Sequence, residues 1–430
     1  MPIRLFPTLM IGFFAAMTAW TMHQTGRDTA IWAVPLFWGW GWFALRITSP
    51  HASPSLVWTL CLAFGARALL LATPLDLSDD LYRYLWEGAA MDAGYNPFRD
   101  PPSAIEGLDD PLRDLVNHAD IPSIYPPVAL LWFRLLHQLG GTVAGAQAAT
   151  ALLDLVTVTA LWTLCHTARR PTAPALYYAV LPLPIVESAS SAHLEVVAIA
   201  LTMLAFRQAP RLQAFLVVLG AGTKLMPVIV LPALLRAHPR AALHGAIVGT
   251  LGIAAATLPV LDAGPALFTG FDTYTRHWEF NGFAYPWLHP LLGEHTRPLL
   301  IFLGIAIGIG TLWRGLPPLE TWRVVGSAFV LLSPTCHPWY VLWALVPDLA
   351  SGRRFWAVAS TALMGSYLVL GTLVSAQGWH EPAWLWWVTW PPALSLGAWV
   401  DRSRSAAPTL QPGGPPHRAI PDGEQSQEGQ

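Results

Sequence analysis

The run Leu5-Phe-Pro-Thr-Leu-Met-Ile-Gly-Phe-Phe-Ala-Ala-Met-Thr-Ala-Trp-Thr-Met22 carries no charged side chain over eighteen residues. As a helix it rises about 27 Å, close to the bilayer hydrocarbon core of about 30 Å. Arg4 precedes it, no small-x-small cleavage site closes it, and further apolar runs follow, so it reads as a first span and not as a signal peptide. Runs broken by Pro, Gly and charge recur down the chain. With the first they make fourteen, at about 5–22, 29–47, 54–72, 145–165, 173–187, 191–207, 211–223, 225–236, 241–261, 297–313, 318–332, 338–350, 355–375 and 383–400. Composition agrees: 54% of the 430 residues are hydrophobic and 12% charged, against about 25% charged in soluble domains. Mean hydropathy is +0.44. A soluble multidomain enzyme is excluded. So is a nucleic-acid binder, because the net charge is −2 with no basic tract. Cys61, Cys165 and Cys336 are too few and too scattered for a disulfide framework or a zinc site. The expected fold class is all-α: a polytopic transmembrane protein of about 11–14 spans, with short re-entrant or half-helices. The clearest break is at Lys224–Pro227. Residues 1–400 read as one transmembrane domain, and the Pro-, Gly-, Ser- and Gln-rich segment 401–430 as a disordered cytoplasmic tail.

The longest polar stretch, 74–124, separates the third and fourth runs and holds eleven acids against three bases, Arg83, Arg99 and Arg113. Lys and Arg, not acids, set membrane orientation. With the N-terminus inside, three spans place this stretch outside. If Tyr125–Leu139 lies in the interface or re-enters, the later clusters Arg169/Arg170, Arg207/Arg211, Arg236/Arg240, Arg314/Arg323, Arg353/Arg354 and Arg402/Arg404 all fall inside, and with Arg4, Arg46 and Arg418 that makes 15 of 24 bases. Both termini are then cytoplasmic. The polar clusters Ser78–Asp80, Glu187–Glu195, Lys224, Thr275–Asn281, Ser333–Tyr340 and Gln377–Glu381 share the outer face. A site there has no access to cytosolic nucleotides and needs a substrate carried in the membrane.

Each cluster also has a plain structural reading. Leu77-Ser-Asp-Asp-Leu-Tyr-Arg-Tyr-Leu-Trp-Glu-Gly88 is a span exit followed by an interfacial helix, with Ser78 or Asp79 as N-cap and Asp80, Tyr84 and Glu87 on one face. It is equally a carboxylate at a membrane exit, able to deprotonate a hydroxyl. Gly94-Tyr-Asn-Pro-Phe-Arg99 and Tyr125-Pro-Pro127 punctuate loops. His193 and Glu195 precede an apolar run and could cap it. Arg67 lies inside a span and could snorkel outward. Lys224 is harder to dismiss, because a helix break beside it frees backbone N–H groups that suit a phosphate. Tyr274-Thr-Arg-His-Trp-Glu-Phe-Asn281 and Ser333-Pro-Thr-Cys-His-Pro-Trp-Tyr340 mix cations or His with aromatic rings, as an aromatic belt or a sugar site would.

The run Ser78–Gly88, with Gly94-Tyr-Asn-Pro-Phe98 and Tyr125-Pro-Pro127, resembles the first outer loop of GT-C superfamily glycosyltransferases. It is most similar to bacterial polyprenyl-phosphate-mannose-dependent mannosyltransferases. His277-Trp-Glu-Phe-Asn-Gly282 and Ser333–Tyr340 look like later outer-loop motifs of that group, and the resemblance covers about 60–350. It implies a multi-span helical fold, a polyprenyl-phosphate-sugar donor, inversion at the sugar carbon and an acidic general base in the first outer loop. Asp80 and Asp79 are the matching residues; Asp80 is favoured, since Asp79 is better placed to cap the helix. Substrate binding is expected from Arg67, Tyr82, Arg83, Tyr84, Glu87, Asn96, Tyr125, His193, Glu195, Lys224, Arg276, His277, Glu279, Asn281, His337 and Tyr340. Of these, Arg67, Lys224, Arg276 and His337 are the candidates to face the departing phosphate. The one departure is that two further spans precede the loop, where the family usually has one.

The implied activity is transfer of a sugar, mannose by resemblance, from the polyprenyl-phosphate donor to a lipid or glycan acceptor at the outer face of the cell membrane. Asp79, Asp80, His193 and Glu195 are the ligands available to a divalent metal, but their spacing demands none. A flippase of lipid-linked glycans would need a polar path through the spans; Asp154 reads as the only acid buried mid-span, and no inner-face polar cluster matches the outer one. A non-catalytic scaffold would leave the outer polar clusters without a purpose.

Overall fold

The computed structural model describes residues 3–108, 111–372 and 381–405, and these fold as an all-α polytopic membrane protein. In chain order the helices are α1 (Leu5–Thr25), α2 (Thr29–Ala44), α3 (Leu56–Ala68), α4 (Asp80–Asp92), α5 (Pro127–Gln138), α6 (Val143–Thr167), α7 (Ala173–Val180), α8 (Pro182–Ile185), α9 (Leu194–Ala205) and α10 (Pro210–Thr223). There follow α11 (Leu231–Ala237), α12 (Pro239–Thr257), α13 (Thr269–His277), α14 (Tyr285–Leu292), α15 (Thr296–Trp313), α16 (Pro318–Leu332), α17 (Leu342–Ala350), α18 (Phe355–Leu363), α19 (Val369–Thr372) and α20 (Trp384–Ser405). Prolines open α5, α10, α12 and α16 at the first turn, where the missing N–H costs nothing. Ser55 and Thr142 cap α3 and α6 by accepting from the backbone N–H groups of Trp58 and Gly145.

Among the described residues, four helical stretches are long and apolar enough to cross a membrane: Leu5–Thr25, Val143–Thr167, Pro239–His277 and Tyr285–Trp313. A fifth span forms if Pro182–Ser190 and Leu194–Ala205, bent by 114°, are taken together. Apart from α20, which has 22 residues with Pro391 and Pro392 inside, the other apolar runs form shorter helices, interrupted by Pro and Gly. At the expected break, α10 ends on an extended Lys224 (φ −147°, ψ 133°), and a 3₁₀ turn Met226–Val230 leads into α11.

Every residue of α7 and α17 is buried, so these two short helices form the centre of the bundle. The Trp40 indole of α2 donates to the Val180 carbonyl at 2.8 Å, which ties the N-terminal helices to that centre. Outward-facing residues are apolar: Leu5, Phe13 and Trp20 on α1, and Ile301, Phe302, Ile305 and Ile309 on α15. That is the pattern of helices solvated by lipid. One charge pair lies deep inside. Arg67 binds Asp154 at 2.5 Å, donates to the Ala63 and Ala179 carbonyls, and Tyr178 donates to the same Asp154 at 2.6 Å. The pair is thus held by protein groups on three other residues, Ala63, Ala179 and Tyr178.

The polar segment between α3 and α6 is a packed unit. Ten of the thirteen residues of α4 are buried, although its sequence is strongly amphipathic. One side packs on α5, where Tyr84 stacks on Phe133 at 4.5 Å between ring centroids. On another side Trp86 and Ala90 meet Ile105 and Val116 of the following loop. Gly88 is where α4 and α5 touch: a Cβ there would lie 2.3 Å from the Phe133 carbonyl oxygen. With twelve residues, α5 is about 18 Å long, too short to cross upright, and it lies against α4.

Candidate active site

The N-terminus of α4 starts the site. Ser78 Oγ lies 3.4 Å from the Asp80 amide and supplies the local cap. Asp79 holds the N-cap position, but its side chain makes no capping bond. This corrects the reason for preferring Asp80, since Asp79 is engaged elsewhere: its Oδ1 accepts from the Asn117 amide at 2.6 Å. Asp79 is exposed but sits in a recess among protein atoms. That desolvation, and then the charge of Asp80, push its carboxyl above the ordinary range, opposed by the Asn117 hydrogen bond.

Arg83 explains why Asn117 is there. Its guanidinium donates to the His118 carbonyl at 2.7 Å and the Ile121 carbonyl at 3.1 Å, and reaches the Asn117 side-chain oxygen at 3.5 Å. It also pairs with Glu87 at 3.2 Å, one turn along α4. Glu87 accepts from the Ser123 hydroxyl at 2.8 Å. Burial raises the Glu87 carboxyl above its usual range, with Arg83 and Ser123 opposing. Arg83 and Glu87, expected to bind substrate, are buried and hold the segment 117–123 against α4.

The second side of the site is the break before α9. A π-helical turn, Val186–Ser190, and Ala192 at φ +53° turn the chain so that His193 points at the start of α4. Single π turns of this kind recur at functional sites. His193 Nδ1 lies 2.7 Å from Glu187 Oε2, and its Nε2 lies 3.0 Å from Ser78 Oγ and 3.8 Å from Asp80 Oδ2. Glu187 Oε1 accepts from the Tyr367 hydroxyl at 2.6 Å. The His193 ring stacks on Trp339 at 3.8 Å, and His337 stacks on Trp339 at 4.4 Å.

Lys224 forms the third side. Its Nζ lies 2.8 Å from Glu195 Oε1 and 5.6 Å from the ring centroids of both Tyr125 and Tyr340. Glu195 is wholly buried, and among the described residues neither of its oxygens has a well-formed hydrogen bond. Lys224 keeps 22% of its side chain exposed. Tyr340 and Tyr274 join through their hydroxyls, and Tyr84 meets Tyr125 edge-on at 5.3 Å. Burial pushes His337 down to about 3, so it is a neutral ring beside Asp80, His193 and Lys224.

The two later motifs clamp together. Phe280 N donates to the Pro334 carbonyl at 3.1 Å, and Cys336 N donates to the Phe280 carbonyl at 2.7 Å. A Cβ at Gly282 would approach the Pro334 carbonyl oxygen at 2.9 Å. Thus Asp80, Tyr84, Tyr125, His193, Glu195, Lys224, His337 and Tyr340 gather in one place, with Asp79 at its rim. Other expected residues are used differently. Arg67 is committed to Asp154. Asn96 donates to the Val260 carbonyl and Asp262, fastening the outer loop to the segment after α12. Arg276 pairs with Asp272 on an exposed helix face, and His277 is exposed. Glu279 pairs with Arg297. Asn281 is buried, its side-chain oxygen accepts from Thr389, and its backbone N–H donates to Glu381. Tyr82 is half-buried. Residues 377–380 of the last outer cluster lie outside the described residues. Among the described residues no three His, Cys, Asp or Glu side chains gather to hold a metal ion.

Residues that sequence reasoning did not select are Ser78, Asn117, Glu187, Tyr274, Trp339 and Tyr367. Glu187 carried a signal, being an acid in an apolar run six residues before a histidine. Asn117 and Tyr367 carried none.

Comparison with known proteins gives two findings. The family described as Alpha-(1->6)-mannopyranosyltransferase, N-terminal domain, matches residues 7–240, more than half of the chain. Alpha-(1->6)-mannopyranosyltransferase B of Corynebacterium glutamicum is 27% identical over 356 residues, covering 68% of this chain. The chain spans 58% of that relative's length.

Proposed function

Since the chain belongs to the MptA_B family of GT-C membrane mannosyltransferases, we propose that it transfers mannose from a polyprenyl-phosphate donor to a glycan or lipid-linked acceptor at the outer face of the cell membrane. The observation that carries this reading is the convergence of a partly exposed carboxylate, Asp80, and a partly exposed cation, Lys224, beside the rings of Tyr125 and Tyr340 at the start of the outer loop. A glycosyl transfer from a phosphate needs one group to take a proton and another to meet the leaving anion.

The donor's tail lies among the lipid-facing helices and its phosphate reaches the pocket near Lys224. The acceptor hydroxyl gives its proton to Asp80 while its oxygen attacks the anomeric carbon from the side opposite the phosphate. The bond between that carbon and the phosphate oxygen breaks, and polyprenyl phosphate leaves with the electron pair. A single displacement inverts the carbon, so an α-linked product requires a β-linked donor. A 1,6-linkage makes the acceptor group a primary hydroxyl. Lys224 stabilises the charge that grows on the phosphate, and Tyr125, Tyr340 and Tyr84 offer the faces and hydroxyls on which a sugar ring packs. A pocket of this kind does not serve a flippase, which needs a second polar site towards the inner face.

The test is Asp80→Asn, which keeps the size of the side chain and removes the proton acceptor. General-base catalysis is worth about 10²–10⁴-fold. Turnover with a purified polyprenyl-phosphate-mannose donor should fall by at least about 10²-fold, with donor binding retained. Near-full activity would sink the assignment, and Asp79, with its raised carboxyl, would be next.

A further inference from the structure

Around the site, among the described residues, Asp80 and Glu187 flank His193, Asp79 lies beside Asp80 and binds Asn117, and Glu195 pairs with Lys224. Like charges disfavour one another's ionised forms, and burial followed by the charge of Asp80 already raises the Asp79 carboxyl. A base that already holds a proton takes none from an acceptor. The pocket must also receive a phosphate, which adds negative charge. Some positive charge beyond Lys224 is needed beside Asp80.

His193 is the group placed to supply it. It is fully buried between two carboxylates, with Glu187 at 2.7 Å on Nδ1 and Asp80 at 3.8 Å on the Nε2 side. Glu187 is itself fully buried, and Tyr367 donates to its other oxygen. A buried carboxylate that accepts from a tyrosine hydroxyl and from an imidazole N–H is satisfied as an anion. The Nδ1 proton is thereby fixed, and Nε2 is turned towards Ser78 and Asp80. Stacking on Trp339 holds the ring in this plane and favours a cation over the indole face.

We propose that Glu187 holds His193 as an imidazolium whose Nε2–H faces Asp80 and keeps that carboxylate ionised and aimed at the acceptor. His193 is a positioning residue in this arrangement and does not take the acceptor's proton, which goes to Asp80 and then to water at the exposed rim. The inference rests on the reading of Asp80 as base. The groups that act on this pair from the packed elements are Asp79 and Asp80 at α4, Glu195 on α9, Lys224, His337 and Tyr367. His337 is neutral, and Lys224 sits on the Glu195 and leaving-group side of the site, so neither replaces the imidazolium.

The measurement is the pH dependence of kcat/KM for the full chain, with polyprenyl-phosphate mannose and an α-mannoside acceptor, in wild type, Glu187→Gln and His193→Gln. Loss of the imidazolium lets Asp80 take up a proton at higher pH. The acid-side fall in rate should therefore move to higher pH by about one unit or more. A merely structural role lowers the rate at every pH and leaves the position of the fall where it was. That result, or an unmoved fall with full activity, overturns the proposal. Monodispersity and melting temperature establish folding; should Glu187→Gln not be recovered folded, His193→Gln carries the test. Asp80→Asn is run alongside. If it stays active, the base reading itself fails. If it is inactive while the acid-side fall is unmoved in Glu187→Gln, only the role of the Glu187–His193 pair fails.

Discussion

Replacing Lys224 tests the leaving-group side of the site, and the structure shows why the obvious single variant misleads. Lys224 Nζ is 2.8 Å from the carboxylate of a fully buried Glu195. Lys224→Met removes the cation and strands that carboxylate. Removing one partner of a buried pair costs about 3–5 kcal/mol, enough to unfold a marginal protein. A dead Lys224→Met would then say nothing of phosphate. The informative variant is Lys224→Met with Glu195→Gln, which deletes both charges and keeps both shapes. It should recover most of the lost stability, seen as a melting temperature near that of wild type. Loss of one preorganised stabilising group at a developing anion costs about 10²–10³-fold in turnover, or about 2.7–4 kcal/mol. The assay is initial rate against donor concentration, at saturating acceptor, in nanodiscs. Turnover should fall by that factor, and Lys224→Arg, which retains the charge, should keep much more of it. A folded double variant with wild-type turnover and unchanged donor dependence would remove Lys224 from the phosphate site.

Two further outcomes are expected. Gly88→Ala should lower the melting temperature by an amount equivalent to about 1–3 kcal/mol, because its Cβ would meet the Phe133 carbonyl at 2.3 Å; Gly65→Ala, also within a helix but with nothing within 4 Å, is the control that should not lower it. A cysteine placed at the exposed Glu106, in a Cys61→Ala background that removes the exposed native thiol, should react with an impermeant maleimide in intact spheroplasts. Reaction only after lysis would place the acidic loop inside.

The fold class was legible because charge is so scarce in this chain that apolar runs stand out without any alignment. Helix length was not. Apolarity measures burial in lipid or in protein alike, and the central helices α7 and α17 are apolar because protein surrounds them. Their eight and nine residues cross nothing alone. The break at Lys224 was legible because a charge and a proline interrupt an apolar run within four residues. The turn that brings His193 to Asp80 was not. It depends on a π turn and on Ala192 in a left-handed conformation, where no glycine marks the position.

The same limit applies to the motifs, for a physical reason. A reactive group in a pocket must be held, and the holding uses the residue types that react. Arg83 and Glu87 have the chemistry of a phosphate clamp and an acid, but Arg83 spends its donors on the carbonyls of His118 and Ile121. Asn281 and Glu279 have the chemistry of sugar ligands, but their partners are Thr389, Glu381, Tyr285 and Arg297. In each motif most of the polar side chains close the loop on its neighbour, and one or two are left facing the pocket. Composition marks the motif as a whole, so it cannot separate the two groups. What separates them is whether the donors and acceptors are already used. Asp80 is the case that decides it: its side chain is 25% exposed, Asn117 reaches one oxygen only at 3.4 Å, and His193 stands 3.8 Å from the other. A carboxylate so lightly bound, on a helix so firmly held, is free to meet a substrate hydroxyl.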